Sequence, residues 1–108
     1  MEIIELMERV LNLRALYHRV IAGNIANVET PNYKERYVDF KEALRGIERD
    51  GRPQIKERLE GGRPDGNTVQ MERQVSELTE NSLHFYALLS SLTKKFSLMR
   101  YVIGEGRR

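Results

Sequence analysis

From the N-terminus, apolar side chains recur at Ile3, Leu6, Val10, Leu13, Tyr17 and Val20 in alternating steps of three and four. This is the spacing of a helix that lays one seam against another helix. The same phase continues onto Asn24 and Asn27. Thr30 precedes Pro31, and the proline ring pushes its predecessor out of the helical region, so the pattern predicts a first helix over residues 2–28. A longer seam runs through Met71, Val75, Leu78, Ser82, Phe85, Leu89, Leu92, Phe96, Met99 and Ile103, with Ser82 its single polar member. Asp65-Gly66-Asn67-Thr68 provides a turn followed by N-cap residues, Gln70 and Glu72 suit the first turn, and Gly104 and Gly106 suit the end. The second helix is expected over 68–104.

Between the seams, Gly46, Gly51, Pro53, Gly61, Gly62, Pro64 and Gly66 exclude a long regular element. Asp39 with Glu42 predicts the start of one short helix running to Arg49. The expected fold class is therefore all-α, one domain over 1–108. An N-terminal helix (1–28) and a C-terminal helix and tail (68–108) pack as an antiparallel coiled-coil-like hairpin, and 29–67 forms an irregular middle with a short helix.

One antiparallel register keeps every layer in step. It sets Ile3 with Ile103, Leu6 with Met99, Val10 with Phe96, Leu13 with Leu92, Tyr17 with Leu89, Val20 with Phe85, Asn24 with Ser82 and Asn27 with Leu78. The polar break in one seam then faces the polar break in the other, which would fix the register. The same alignment brings Glu2, Glu5 and Glu8 beside Lys94, Lys95 and Arg100. Apolar residues also lie off the seams, at Ile4, Met7, Leu11, Ile21 and Ile25 and at Leu83, Tyr86, Leu88, Leu98, Tyr101 and Val102. Each large side chain left in water forgoes about 1.5–3 kcal/mol, so the surplus predicts partner helices.

Chemistry adds little to this picture. The 18 basic and 16 acidic residues leave a net charge of +2, which gives no reason to expect nucleic acid. The absence of cysteine removes disulfides, thiol nucleophiles and thiolate metal sites. Glu2, Glu5 and Glu8 stand where a secretory signal needs positive charge and an apolar core. No apolar run approaches the roughly 20 residues of a membrane span. His18 and His84 lie on different helices without a convergent ligand motif. No serine sits on a nucleophile elbow, no glycine-rich loop opens a helix, and the acidic residues form helix-end runs rather than a facing pair. Neither an enzyme nor a cofactor or small-molecule substrate is expected, and Phe85, Tyr86, Phe96 and Tyr101 read as packing residues.

The run from Asn24 to Phe40 is the most distinctive feature. Asn24-Ile25-Ala26-Asn27, Thr30-Pro31, Tyr33-Lys34 and Val38-Asp39-Phe40 resemble the signature of the flagellar basal-body rod protein family. In the second helix, Asn67 to Asn81 and Lys94-Lys95-Phe96-Ser97-Leu98 with Ile103 and Gly106-Arg107 resemble its proximal-rod members, whereas sister rod proteins differ mainly there. One departure is Asn32, where the family usually carries glycine; asparagine tolerates the left-handed conformation better than most residues.

The resemblance implies a structural, self-assembling subunit of a tubular periplasmic rod that transmits torque. It implies export through the flagellar type III apparatus without a cleaved signal peptide. Implied partners are other rod subunits, the membrane ring and the export gate, with Tyr33 to Phe40 docking on an adjacent subunit. The alternative from another class is a cytosolic helical adaptor or export chaperone that holds a client helix.

Overall fold

The computed structural model describes residues 1–49 and 52–106. Helix α1 spans Ile3–Ala26 and helix α3 spans Met71–Gly106, so both predicted helices are present, the first shorter at each end and the second beginning three residues later. Asp39 caps the short helix α2, Phe40–Arg45, by accepting from the Glu42 N–H at 3.2 Å. A 3-10 turn, Ile47–Arg49, follows Gly46. The middle also holds an element absent from the sequence reading: strands β1 (Arg36–Val38) and β2 (Ile55–Glu57) pair antiparallel, Arg36 with Glu57, Tyr37 with Lys56 and Val38 with Ile55. Strands of three residues are too short to display a period of two. The fold remains mostly helical.

The core explains where α1 points. Leu13 and Val20 are buried with Val38 of β1, and Leu16, Tyr17, Phe40 and Ala43 pack around them. Three members of the expected α1 seam, Leu13, Tyr17 and Val20, thus pack with β1 and α2. Phe40 meets Tyr17 edge-on at 6.2 Å between ring centroids, and the Arg14 guanidinium lies 3.8 Å from the centre of the Phe40 ring.

The two long helices are antiparallel, as expected, but in a different register. Arg14 donates to Asn81 Oδ1 at 3.2 Å, and Asn81 Nδ2 returns a hydrogen bond to the Arg14 carbonyl at 2.9 Å. Asn24 donates to Gln74 Oε1 at 2.8 Å. Asn24 therefore pairs with Gln74 rather than Ser82, and the neighbour of Leu13 pairs with Asn81 rather than near Leu92. The offset is roughly two to three helical turns, which separates Val10 from Phe96 by about 16 Å along the axis. The aligned ladder of Ile3 with Ile103 through Asn27 with Leu78 is overturned, because buried polar pairs outweigh a count of apolar layers. Glu5 is paired with Arg9 on its own helix at 3.1 Å, and the expected Glu2, Glu5 and Glu8 pairing with Lys94, Lys95 and Arg100 does not form.

The side of α3 that faces α1 carries Gln74, Asn81 and Leu92, all buried, with Leu78, Phe85 and Leu88 half-buried. This face keeps Leu78, Phe85 and Leu92 of the expected seam but takes Gln74, Asn81 and Leu88 in place of Val75, Ser82 and Leu89, and Met71, Val75 and Leu89 stand exposed. Counting from the Arg14–Asn81 pair brings Ile3, the first residue of α1, level with Leu92. Beyond that point every described residue from 93 to 105 is exposed. An overhang of about 20 Å therefore projects past α1, and the long axis of the molecule reaches 70 Å.

Candidate functional site

The signature run closes a polar clasp between the end of α1, β1 and the approach to α3. Asn24, 1% exposed, works in three directions. Its amide donates to the Arg36 carbonyl at 2.7 Å and to Gln74, and its Oδ1 accepts from the Arg36 N–H at 2.9 Å. One carboxamide thus satisfies the edge of β1 that β2 does not cover, as a neighbouring strand would.

Asn67 ties off the end of α1. A helix leaves its last carbonyls without intrahelical partners, and Asn67 Nδ2 supplies a donor to three carbonyls there, Asn27 at 3.0 Å, Val28 at 3.1 Å and Thr30 at 2.8 Å. Its Oδ1 accepts from the Val69 N–H at 2.8 Å. Arg63 also donates to the Val28 carbonyl. Asn27 Nδ2 bonds back to the Gly23 carbonyl at 2.8 Å, and Thr30 Oγ1 donates to Asn27 Oδ1 at 3.1 Å. Asn27 therefore works within its own helix end instead of facing Leu78.

Glu35 is the charge centre of the clasp. Its carboxylate is 1% exposed and accepts from Gln74 Nε2 at 2.5 Å, Arg58 Nε at 2.6 Å and the Gln70 N–H at 3.1 Å. The last contact places a negative group at the start of α3, where the helix dipole favours it. Arg73 Nε lies 3.4 Å from Glu35 Oε2, near enough for attraction although off the geometry of a hydrogen bond. Thr68 completes the closure: its hydroxyl accepts from the Glu35 N–H at 2.7 Å and donates to the Arg58 carbonyl at 2.7 Å.

Two positive-φ residues let these strands of chain meet. Asn32 sits at φ 62 and donates its N–H to the Asp65 carbonyl at 2.9 Å, a left-handed conformation that asparagine tolerates better than most residues. Opposite it, Gly66 sits at φ +81, and a Cβ there would run into the Asn32 side chain. Lys34 Nζ donates to the Gly66 carbonyl at 2.5 Å.

The remaining signature residues divide by role. Val38 joins the core, Asp39 caps α2 and Phe40 packs on α1. Tyr33 is half-buried and passes its carbonyl to the Thr68 N–H at 3.0 Å, and Ile25 is half-buried, whereas Ala26, Thr30 and Pro31 are exposed. Tyr37 lies under the Arg58 guanidinium, 4.4 Å from the ring centre. Tyr33 to Phe40, expected to leave α1 at Pro31, folds back onto its own α1 and α3. The sequence reading singled out neither Glu35 nor Gln74 or Asn81 by role, although the latter two lie in the Asn67 to Asn81 resemblance. Asn67 and Thr68 read as helix-capping residues, and the only hint for Glu35 was an acid set between Lys34 and Arg36.

Of the expected packing positions, Leu13, Val20, Asn24 and Leu92 are buried. Leu6, Val10, Tyr17, Asn27, Leu78, Ser82 and Phe85 are half-buried, and Leu89, Phe96 and Met99 are exposed. Burial, followed by hydrogen bonding to Glu77, pushes the Tyr17 hydroxyl well above its ordinary range. Ala15, His18 and Arg19 face Asn81, Ser82, Phe85 and Tyr86 across a shallow groove. Among the described residues no group of three His, Cys, Asp or Glu converges as metal ligands, and no helix is long and apolar enough to cross a membrane.

No family model matches the chain, but curated proteins do. It is 30% identical to the flagellar basal body rod protein FlgB of Escherichia coli (strain K12) over 125 aligned positions that cover 92% of this chain and 91% of that protein. It is 26% identical to FlgB of Bacillus subtilis (strain 168), over 96% of this chain and 95% of that one. With FlgB of Cereibacter sphaeroides it shares 32% identity over 88% of this chain and 89% of the other.

Proposed function

From the premise that this chain belongs to the FlgB family of flagellar basal body rod proteins and is a structural subunit of the rod, we propose that its α3 overhang is the element through which it enters the rod wall. One observation carries this reading. Beyond Leu92 no other element among the described residues packs along the overhang, and Phe96, Leu98, Met99, Tyr101, Val102 and Ile103 on it are each at least 40% exposed. At 3.6 residues per turn, Phe96, Met99 and Ile103 fall on one side and Leu98, Tyr101 and Val102 on the other. A helix apolar on two opposite sides fits between two neighbours.

The subunit then self-assembles through α1 and the overhang, with Leu89, Phe96 and Met99 meeting neighbouring helices. Leu6, Val10, Leu13, Tyr17, Val20, Leu78, Ser82, Phe85 and Leu92 hold the body together, and the clasp locks its two arms at one register so that torque passes through a stiff unit. Residues 1–108 act as one rod-subunit domain without catalysis. On this reading the subunit lies in the periplasm, reached by type III export without a cleaved signal, with other rod subunits and components of the membrane ring and export gate as its neighbours. Family membership leaves the cytosolic adaptor or chaperone reading without support.

The test is Leu98→Glu combined with Val102→Glu, two exposed positions whose change spares the core. Unchanged helicity with loss of swimming and of assembled basal bodies is expected. Normal motility in that variant would overturn the reading.

A further inference from the structure

Two blocks of opposite charge lie next to each other toward one end of the long axis. Above the level shared by Ile3 and Leu92, the overhang carries Lys94, Lys95 and Arg100 against the single acid Glu105. Around and below that level, α1 opens on Glu2, Glu5 and Glu8, all exposed, and Met1 and Ile3 beside them are each more than half exposed. Glu5 is held by Arg9 of its own helix. Among the described residues no ion pair engages Glu2, Glu8, Lys94, Lys95 or Arg100.

Resting on the reading that the overhang meets neighbouring subunits, we propose that the surface it meets is the acidic start of α1 on a second copy of this chain, set parallel to the first and shifted along the axis. Charge selects this occupant. Two parallel copies side by side without a shift would set basic block against basic block and acidic block against acidic block, which repels. At 1.5 Å per residue, the three bases lie about 3–12 Å up the axis from the level of Ile3, and Glu5 and Glu8 lie about 3–8 Å down it. A shift of about 12 Å therefore carries the basic overhang of one copy onto the acidic start of the next. There the overhang runs antiparallel to the neighbour's α1, the direction α3 takes beside its own α1 at the Arg14 and Asn81 pair. Its negative helix end also comes near the positive start of that α1. An inverted pair would match the same charges but lay the overhang parallel to α1, with its negative end turned away. Exposed ion pairs contribute little each, so the charges set the shift while Met1, Ile3 and the apolar residues of the overhang supply the contact. The two surfaces joined are different, so the contact is heterologous and repeats from copy to copy.

The experiment is sedimentation velocity on the purified full chain, with helicity checked for each variant. In dilute salt the wild type should form oligomers that grow with concentration, and about 0.5 M NaCl, which shortens the screening length to about 4 Å, should weaken the association at least tenfold. Lys94→Glu with Lys95→Glu should be monomeric, and so should Glu2→Lys with Glu8→Lys, which spares the Glu5 and Arg9 pair. An equimolar mixture of these two variants should recover the oligomers, because each reversed block then finds its complement on the other chain. A wild type that is monomeric in dilute salt, one that stops at a dimer, or a mixture of folded variants that stays monomeric would each overturn the pairing. A monomeric wild type beside lost motility in Leu98→Glu with Val102→Glu defeats this pairing alone, whereas salt-sensitive oligomers beside normal motility in that variant defeat the rod reading alone.

Discussion

Asn24 and Gln74 meet across α1 and α3 through a 2.8 Å hydrogen bond, each side chain fully enclosed. A buried amide that loses its partner carries the whole cost of desolvation, so this pair penalises any sliding of the helices. A double-mutant cycle with Asn24→Leu and Gln74→Leu should return a coupling of about 1–2 kcal/mol in urea unfolding. The same cycle between Asn24 and Ser82 should return a coupling near zero.

Glu35 anchors the clasp by charge. Glu35→Gln keeps the shape but removes the carboxylate between Arg58 and Arg73, whose side chains remain 36% and 30% exposed. Breaking a buried pair costs about 3–5 kcal/mol, and partial solvation of both arginines places this one at the low end, about 3 kcal/mol. Equilibrium unfolding checks it, with reduced protection of the Gln70 amide in hydrogen exchange as the local signature.

The predicted helices survived in the structure because their apolar periods run over many turns, and long periodic segments constrain a chain strongly. Their register was not legible. It rests on Arg14 with Asn81 and Asn24 with Gln74, and a tally of apolar layers contains no information about which polar groups complete one another. Phe96, Met99 and Ile103, the apolar residues that extend the expected ladder, stand exposed instead. The signature run stood out in the sequence, yet the other half of its clasp did not, because Asn67 bonds to backbone carbonyls of Asn27, Val28 and Thr30, which carry no sequence identity.

At the crossing of the two clasp loops, Gly66→Ala forces a Cβ onto a left-handed residue facing Asn32. The backbone term alone is about 1–2 kcal/mol, and the clash adds to it. Asn32→Gly removes the obstructing side chain, so the double variant should recover the steric part but not the backbone part in thermal or urea unfolding.

Tyr17 makes stability depend on alkaline pH. Its folded-state pKa is raised above the model-compound value of 10.0 by burial first and by Glu77 second, so the unfolded chain releases this proton before the folded one does. The resulting stabilisation is fully present below about pH 10 and is lost progressively as pH rises above it. Unfolding free energy measured from pH 8 to 11 should fall more steeply in the wild type than in Tyr17→Phe; parallel curves would contradict the assignment.

On the proposed reading the overhang, whose described residues 93–105 are exposed in the isolated chain, is covered in the rod. Val102→Cys reports on it directly, since this residue is 62% exposed and the chain has no other cysteine. Maleimide labelling should be fast on the purified chain and slowed at least tenfold in isolated basal bodies. Equal labelling rates in the two states would contradict the account.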